Sequence, residues 1–238
     1  MLLWNSGKLK THFYMITSQR LLQAFLVFGI VYSIILLTGN DTLIWYLKPL
    51  LIPFLFYAVV KSEPFVTKKW LLLALLFSWI GDCILMFADK GELYFIFGLL
   101  AFLVAHILYI RLFFGRNSED NHSNNQLFWL GFIIIMIYLA GMLVLLLPTL
   151  GDLKMPVGIY ALTISIMLML ALKGTFNWKG NAKYLVLFGA TFFVISDSIL
   201  AIDKFLTPIA SAWYSIMITY LIAQFSITYG ILKLNQKK

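Results

Sequence analysis

Trp70-Leu71-Leu72-Leu73-Ala74-Leu75-Leu76-Phe77-Ser78-Trp79-Ile80-Gly81-Asp82-Cys83-Ile84-Leu85-Met86-Phe87-Ala88 decides the fold; Lys68-Lys69 precedes it and Asp89-Lys90 follows. About 20 helical residues, rising ~1.5 Å each, span the ~30 Å hydrocarbon of a bilayer. The stretch has that length, and a charged residue flanks it at both ends. It lacks the ~10-residue alternating pattern of a membrane β-strand. Asp82 is the anomaly, because a carboxyl group inside a membrane span is costly and needs a reason.

Similar runs recur in both directions along the chain. Apolar segments between polar breaks predict eight spans, at 21–38, 43–60, 70–88, 93–114, 127–147, 153–172, 184–202 and 212–232. The composition agrees, with 62% hydrophobic and 12% charged residues in 238. A soluble chain of this length has too little interior for so much apolar surface. The expected class is therefore an all-α polytopic membrane protein. Its parts are a cytoplasmic N-terminal segment (1–20), a single eight-helix transmembrane domain (21–232) and a cytoplasmic basic tail (233–238). No small-x-small cleavage site follows the first apolar run, so it reads as an uncleaved helix. The longest break, Arg116–Gln126, is polar and reads as a mobile loop. The remaining links are short, which makes sequential helices antiparallel neighbours.

Lys and Arg give the orientation. Fourteen of them, including Arg20, Lys61, Lys68, Lys69, Arg111, Arg116, Lys173 and Lys233, fall on one set of flanks. Lys90, Lys154 and Lys204 are the three on the other. The positive-inside bias places the first set, and with it both termini, on the cytoplasmic side. The expected location is a plasma membrane, or the inner membrane if the chain is bacterial. The net charge of +8 is thus used by topology, and a nucleic-acid partner is not expected. Cys83 is the single cysteine, so no intrachain disulfide forms. A faint internal repeat relates Gly81-Asp82-Cys83-Ile84-Leu85 to Ser196-Asp197-Ser198-Ile199-Leu200, and Ala105-His106 to Ala223-Gln224. Four helices per half would make it a parallel 4+4 repeat.

Lys48, Asp82, His106 and Asp197 are the clearly ionisable residues well inside the spans. Counting from the outer helix ends at ~1.5 Å per residue puts Lys48, Asp82 and Asp197 roughly 8–10 Å deep. Tyr160, on the sixth span, reaches the same level. Such a layer is the geometry of a pocket open toward the extracytoplasmic leaflet. Each residue also has a plainer reading: Asp82 paired with Lys48, Asp197 capping a backbone group, His106 packed in the core deeper down. Ser78 lies one turn before Asp82 on the same face. In Lys48-Pro49-Leu50-Leu51-Ile52-Pro53, each proline frees a carbonyl four residues back, at Trp45 and Pro49. Those carbonyls need polar company, which either a site-shaping cavity or an ordinary kink can supply. His12 and His122 lie in polar flanks, which argues against a three-histidine zinc site near Asp82. Neither a phosphate-binding loop, a dinucleotide fingerprint nor a Gly-x-Ser-x-Gly elbow is present.

Lys48-Pro49, Ser78-x-x-Gly81-Asp82-x-x-Leu85, Gly98…Ala105-His106-x-x-Tyr109 and Gly189-Ala190-x-x-Phe193-x-x-Ser196-Asp197-Ser198-x-Leu200-Ala201 resemble the YhhN-like lysoplasmalogenase family in order and spacing. The resemblance covers roughly residues 20–232. It implies an eight-helix membrane hydrolase that cleaves the vinyl ether of a lysoplasmalogen to a fatty aldehyde and a glycerophospho-alcohol. It implies a lysophospholipid substrate met among membrane lipids; from the histidine positions and the missing motifs, neither a metal nor another cofactor is expected. By the same resemblance Asp82 and Asp197 are the catalytic pair. Lys48, Ser78, Tyr160, Ser196 and His106 are the substrate-binding candidates.

The chemistry suits two carboxyl groups. A protonated acid delivers a proton to the vinyl β-carbon, and a carboxylate steadies the resulting cation and activates water, by analogy with two-carboxylate glycosidases. On physical grounds alone, membrane acids beside a kinked helix fit a proton-coupled transporter or small-solute channel equally well, and a lipid-binding scaffold also stays open.

Overall fold

The computed structural model describes the backbone of residues 2–116 and 126–236, and side chains from residue 16. The polar break expected between Arg116 and Gln126 lies outside the described residues, apart from its two ends. Among those residues the fold is helical throughout, without strands. The elements are α1 (Leu2–Thr38), α2 (Asp41–Leu47), a 3₁₀ turn (Lys48–Leu50), α3 (Leu51–Val60), α4 (Lys68–Leu85), α5 (Glu92–Arg116), α6 (Gln126–Leu146), a second 3₁₀ turn (Gly151–Leu153), α7 (Lys154–Asn177), α8 (Lys183–Phe205) and α9 (Ala212–Asn235).

Taking α2 and α3 as one interrupted span, these are the eight expected helices. Seven segments among the described residues are long and apolar enough to cross a bilayer. The eighth, α4, has 18 residues but carries Lys68, Lys69 and Asp82. The ends move by a few residues. α7 continues past Lys173 to Asn177, because an apolar run ends where hydrocarbon ends and backbone hydrogen bonding does not. α1 begins at Leu2, far upstream of the expected apolar run. α4 closes at Leu85 rather than Ala88, which leaves Asp82 in its last turn.

The second span is broken rather than merely kinked. The Lys48–Leu50 turn separates α2 from α3, and Pro53 falls in the first turn of α3, where a missing N–H removes no helical bond. The Pro49 carbonyl, freed by Pro53, accepts a 2.7 Å hydrogen bond from the Trp79 indole N–H of α4. A protein donor thus meets the need that Pro53 creates. Between α1 and α2, Gly39 takes the left-handed conformation (φ +68°), and the Asn40 side chain caps α2 by accepting from the Leu43 N–H at 3.1 Å. Lys68 closes the α3 end, donating to the carbonyls of Val60 (3.1 Å) and Ser62 (2.7 Å).

The chain divides into two compact units, Met1–Leu108 with Leu232–Lys238, and Tyr109–Ile231. In the first, α3 packs against α1 and α4, burying Leu51, Ile52, Leu55, Leu71 and Leu75. α5 lies close on α4, where a Cβ on Gly81 would stand 2.7 Å from the Phe102 ring. In the second unit, α7 packs against α6 and α8. At Gly189 the α8 backbone approaches α9 so closely that a Cβ would stand 2.8 Å from the Ala223 carbonyl oxygen. Small residues at helix crossings are the means by which membrane helices gain dispersion contacts without hydrophobic drive. Large side chains such as Ile137, Val144 and Leu37 are exposed, as suits positions facing lipid.

Candidate functional site

Each unit carries its own cluster of polar groups. In the second unit the cluster is built by α6, α7 and α8. Tyr160 enters from the start of α7 and donates its hydroxyl to Asp197 Oδ2 at 2.5 Å. The next residue on α8, Ser198, donates its hydroxyl to the Val194 carbonyl one turn back. Tyr138, from α6, hydrogen-bonds to Ser198 Oγ. A hydroxyl has one proton to give, and that of Ser198 goes to Val194, so Tyr138 is the donor in this pair. Tyr138, Tyr160, Asp197 and Ser198 all line one cavity, whose other walls are apolar, among them Leu139, Met142 and Val157, apart from Ser165, whose hydroxyl donates to the Ala161 carbonyl one turn back at 2.8 Å. A carboxylate set in apolar walls with a few aimed hydroxyls is the general composition of a small-molecule site.

The sequence placed Tyr160 and Asp197 at one level, and the structure joins them by a hydrogen bond. Ser196 faces differently: it is buried and donates to the Ile216 carbonyl of α9 at 2.9 Å, tying two helices together. Tyr138 and Ser198 were not among the expected site residues. A hydroxyl in the middle of the otherwise apolar α6 is the signal that marks Tyr138, since such a group seeks a partner.

In the first unit Asp82 is 4% exposed, and Ser78 on the same face of α4 is fully buried. The Ser78 hydroxyl has no hydrogen-bond partner among the described residues. Tyr32 of α1, also buried, lies within electrostatic reach of Asp82. Lys48 stands at the first position of the 3₁₀ turn and is half-buried. It and Asp82 both lie within electrostatic reach of Cys83. His106 is fully buried on α5, interacts with the Phe102 backbone, and sits one turn beyond the ring that covers Gly81. The first unit therefore gathers Lys48, Ser78 and Asp82 around α4, and the second gathers Tyr160 and Asp197 around α8. Asp82 and Asp197 belong to different units.

The model described as the YhhN family matches residues 43–231. Lysoplasmalogenase TMEM86A of Bos taurus is 33% identical over 174 residues, covering 70% of this chain and 65% of that protein. Lysoplasmalogenase TMEM86B of Homo sapiens is 32% identical over 164 residues, 67% of this chain and 62% of that one. A lysoplasmalogenase of Mycobacterium tuberculosis is 30% identical over 165 residues, 68% and 60%. The chain thus spans somewhat under two thirds of the length of these relatives. No solved structure matches.

Proposed function

The chain belongs to the YhhN family, and on that premise we propose that it is a membrane hydrolase opening the vinyl ether bond of a lysoplasmalogen. The products are a fatty aldehyde and a glycerophospho-alcohol. The observation that supports this most is that relatives from mammals and mycobacteria carry the same name, lysoplasmalogenase, at 30–33% identity. The transporter reading has no comparable support.

The reaction adds water across one bond. A carboxylic acid proton adds to the vinyl β-carbon, and the electron pair of the double bond forms the new C–H bond. The α-carbon becomes an oxocarbenium cation, which a carboxylate stabilises electrostatically. Water, losing its proton to that carboxylate, adds to the cation. The hemiacetal then collapses: its hydroxyl gives up a proton as the carbonyl forms, the C–O bond to glycerol breaks, and the glycerol oxygen takes up a proton. We assign the two carboxyl roles to Asp82 and Asp197. Asp197, on a largely apolar cavity and held by Tyr160, is suited to sit beside a lipid's reacting carbons. Ser78, Ser196 and His106 are assigned to shaping and supporting the site, and Lys48 to the substrate phosphate. Both termini are assigned to the cytoplasmic side.

Asp82→Asn and Asp197→Asn keep side-chain shape and remove ionisation. Each is expected to lower kcat by at least about 100-fold, within the range for losing a general acid or base. Aldehyde release by the purified, folded variants measures this, and wild-type turnover in either one would remove that aspartate from the mechanism.

A further inference from the structure

We propose that Tyr138 is a specificity-determining residue, whose hydroxyl oxygen accepts a hydrogen bond from the free secondary hydroxyl of a one-chain lipid. This rests on the hydrolase reading and adds to it a reason for preferring a lipid that has lost its second chain. Four observations lead there.

Tyr138 and Asp197 line the same cavity, and Tyr138 lies within electrostatic reach of that carboxyl group. The Tyr138 proton is committed, because Ser198 spends its own proton on the Val194 carbonyl and accepts from Tyr138. That commitment leaves the phenolic oxygen as an acceptor. No further hydrogen bond to it is made among the described residues, and the cavity walls beside it, Leu139 and Met142, offer none.

A fixed acceptor in an apolar wall selects for a ligand that carries a proton to give. In a lysoplasmalogen the secondary hydroxyl and the vinyl ether oxygen sit on adjacent glycerol carbons. Holding the hydroxyl on Tyr138 therefore brings the alkenyl group alongside Asp197. A lipid with an ester or ether at that carbon has no proton there. It would set oxygen lone pairs against those of Tyr138 beside largely apolar walls that offer no donor in exchange. Sites built to hydrogen-bond a particular hydroxyl reject analogues lacking it more strongly than apolar pockets reject an extra methylene. Ser198 is a positioning residue in this scheme, since its hydroxyl is engaged by Tyr138 and the Val194 carbonyl.

The test compares two substrates on purified protein: a 1-alkenyl-2-hydroxy-glycerophosphocholine and the same lipid with a 2-methoxy group. The wild type is expected to favour the hydroxy lipid in kcat/KM by about 10-fold or more, the scale of one hydrogen bond in a desolvated site. Tyr138→Phe keeps the ring and removes the oxygen. It is expected to collapse that preference toward unity by lowering kcat/KM for the hydroxy lipid, leaving the methoxy lipid within about threefold. Ser198→Ala, which frees the Tyr138 proton, is expected to reduce the preference in the same direction. A merely structural role for Tyr138 would lower both substrates together and leave the ratio unchanged. An active wild type that turns over both lipids equally, or a ratio left unchanged by Tyr138→Phe, would overturn the assignment of Tyr138 alone. Absence of aldehyde from either lipid with the folded wild type would overturn the hydrolase reading, and this inference with it.

Discussion

The Tyr160 hydroxyl fixes one oxygen of Asp197, and it does so from a different helix. A carboxyl group at the end of two rotatable bonds gains direction from such a tether, and pre-oriented groups react without first losing that freedom. Tyr160 is thus best described as positioning Asp197. Tyr160→Phe is expected to lower kcat about 10-fold while KM stays within about threefold, as for a group acting in the transition state and not in substrate binding. Steady-state aldehyde release resolves the two parameters. A rise in KM with kcat unchanged would return Tyr160 to the substrate-binding role first read from its depth. That depth was legible because helical rise converts residue count into height. The azimuth of each side chain was not legible, since α6 is apolar on all faces and gives no period to follow. Tyr138 was for that reason not placed beside Asp197 by the sequence, whereas Ser198 stood next to Asp197 in the chain but its partner on α6 could not be named.

Among the elements, the spans were read from apolar length alone, and their ends shifted only where polar residues continue a helix or where a turn intervenes. The second span is the instructive case. Pro53 announced that the Pro49 carbonyl would be left over. The donor that meets it, Trp79, is 30 positions away and could not be named without the packing of α3 on α4. The short connections have a consequence for topology. If fourteen basic residues mark the cytoplasmic side, the α6–α7 link and the α7–α8 link face opposite aqueous phases. In a Cys83→Ser background, Asp152→Cys is expected to react with a membrane-impermeant maleimide from outside intact cells. Lys179→Cys is expected to react only after permeabilisation. Labelling of both from the same side would refute the assigned orientation.

At the scale of the whole molecule, the fold sorts its ionisable membrane residues into two groups. Lys48 and Asp82 belong to one unit and Asp197 to the other, each with hydroxyl-bearing neighbours. Acids in a membrane are expensive, and the expense falls at two places along a mostly apolar chain. In the proposed reaction these acids serve carbon protonation of a vinyl ether. Hydrolysis of a lysoplasmalogen by the purified protein in D₂O tests it most directly, with the aldehyde reduced at once to the alcohol and analysed by mass spectrometry. Proton delivery to the β-carbon predicts one deuterium on the carbon next to the former carbonyl, formed in step with the glycerophospho-alcohol. Release of no aldehyde, or of aldehyde without deuterium at that carbon, would contradict the account.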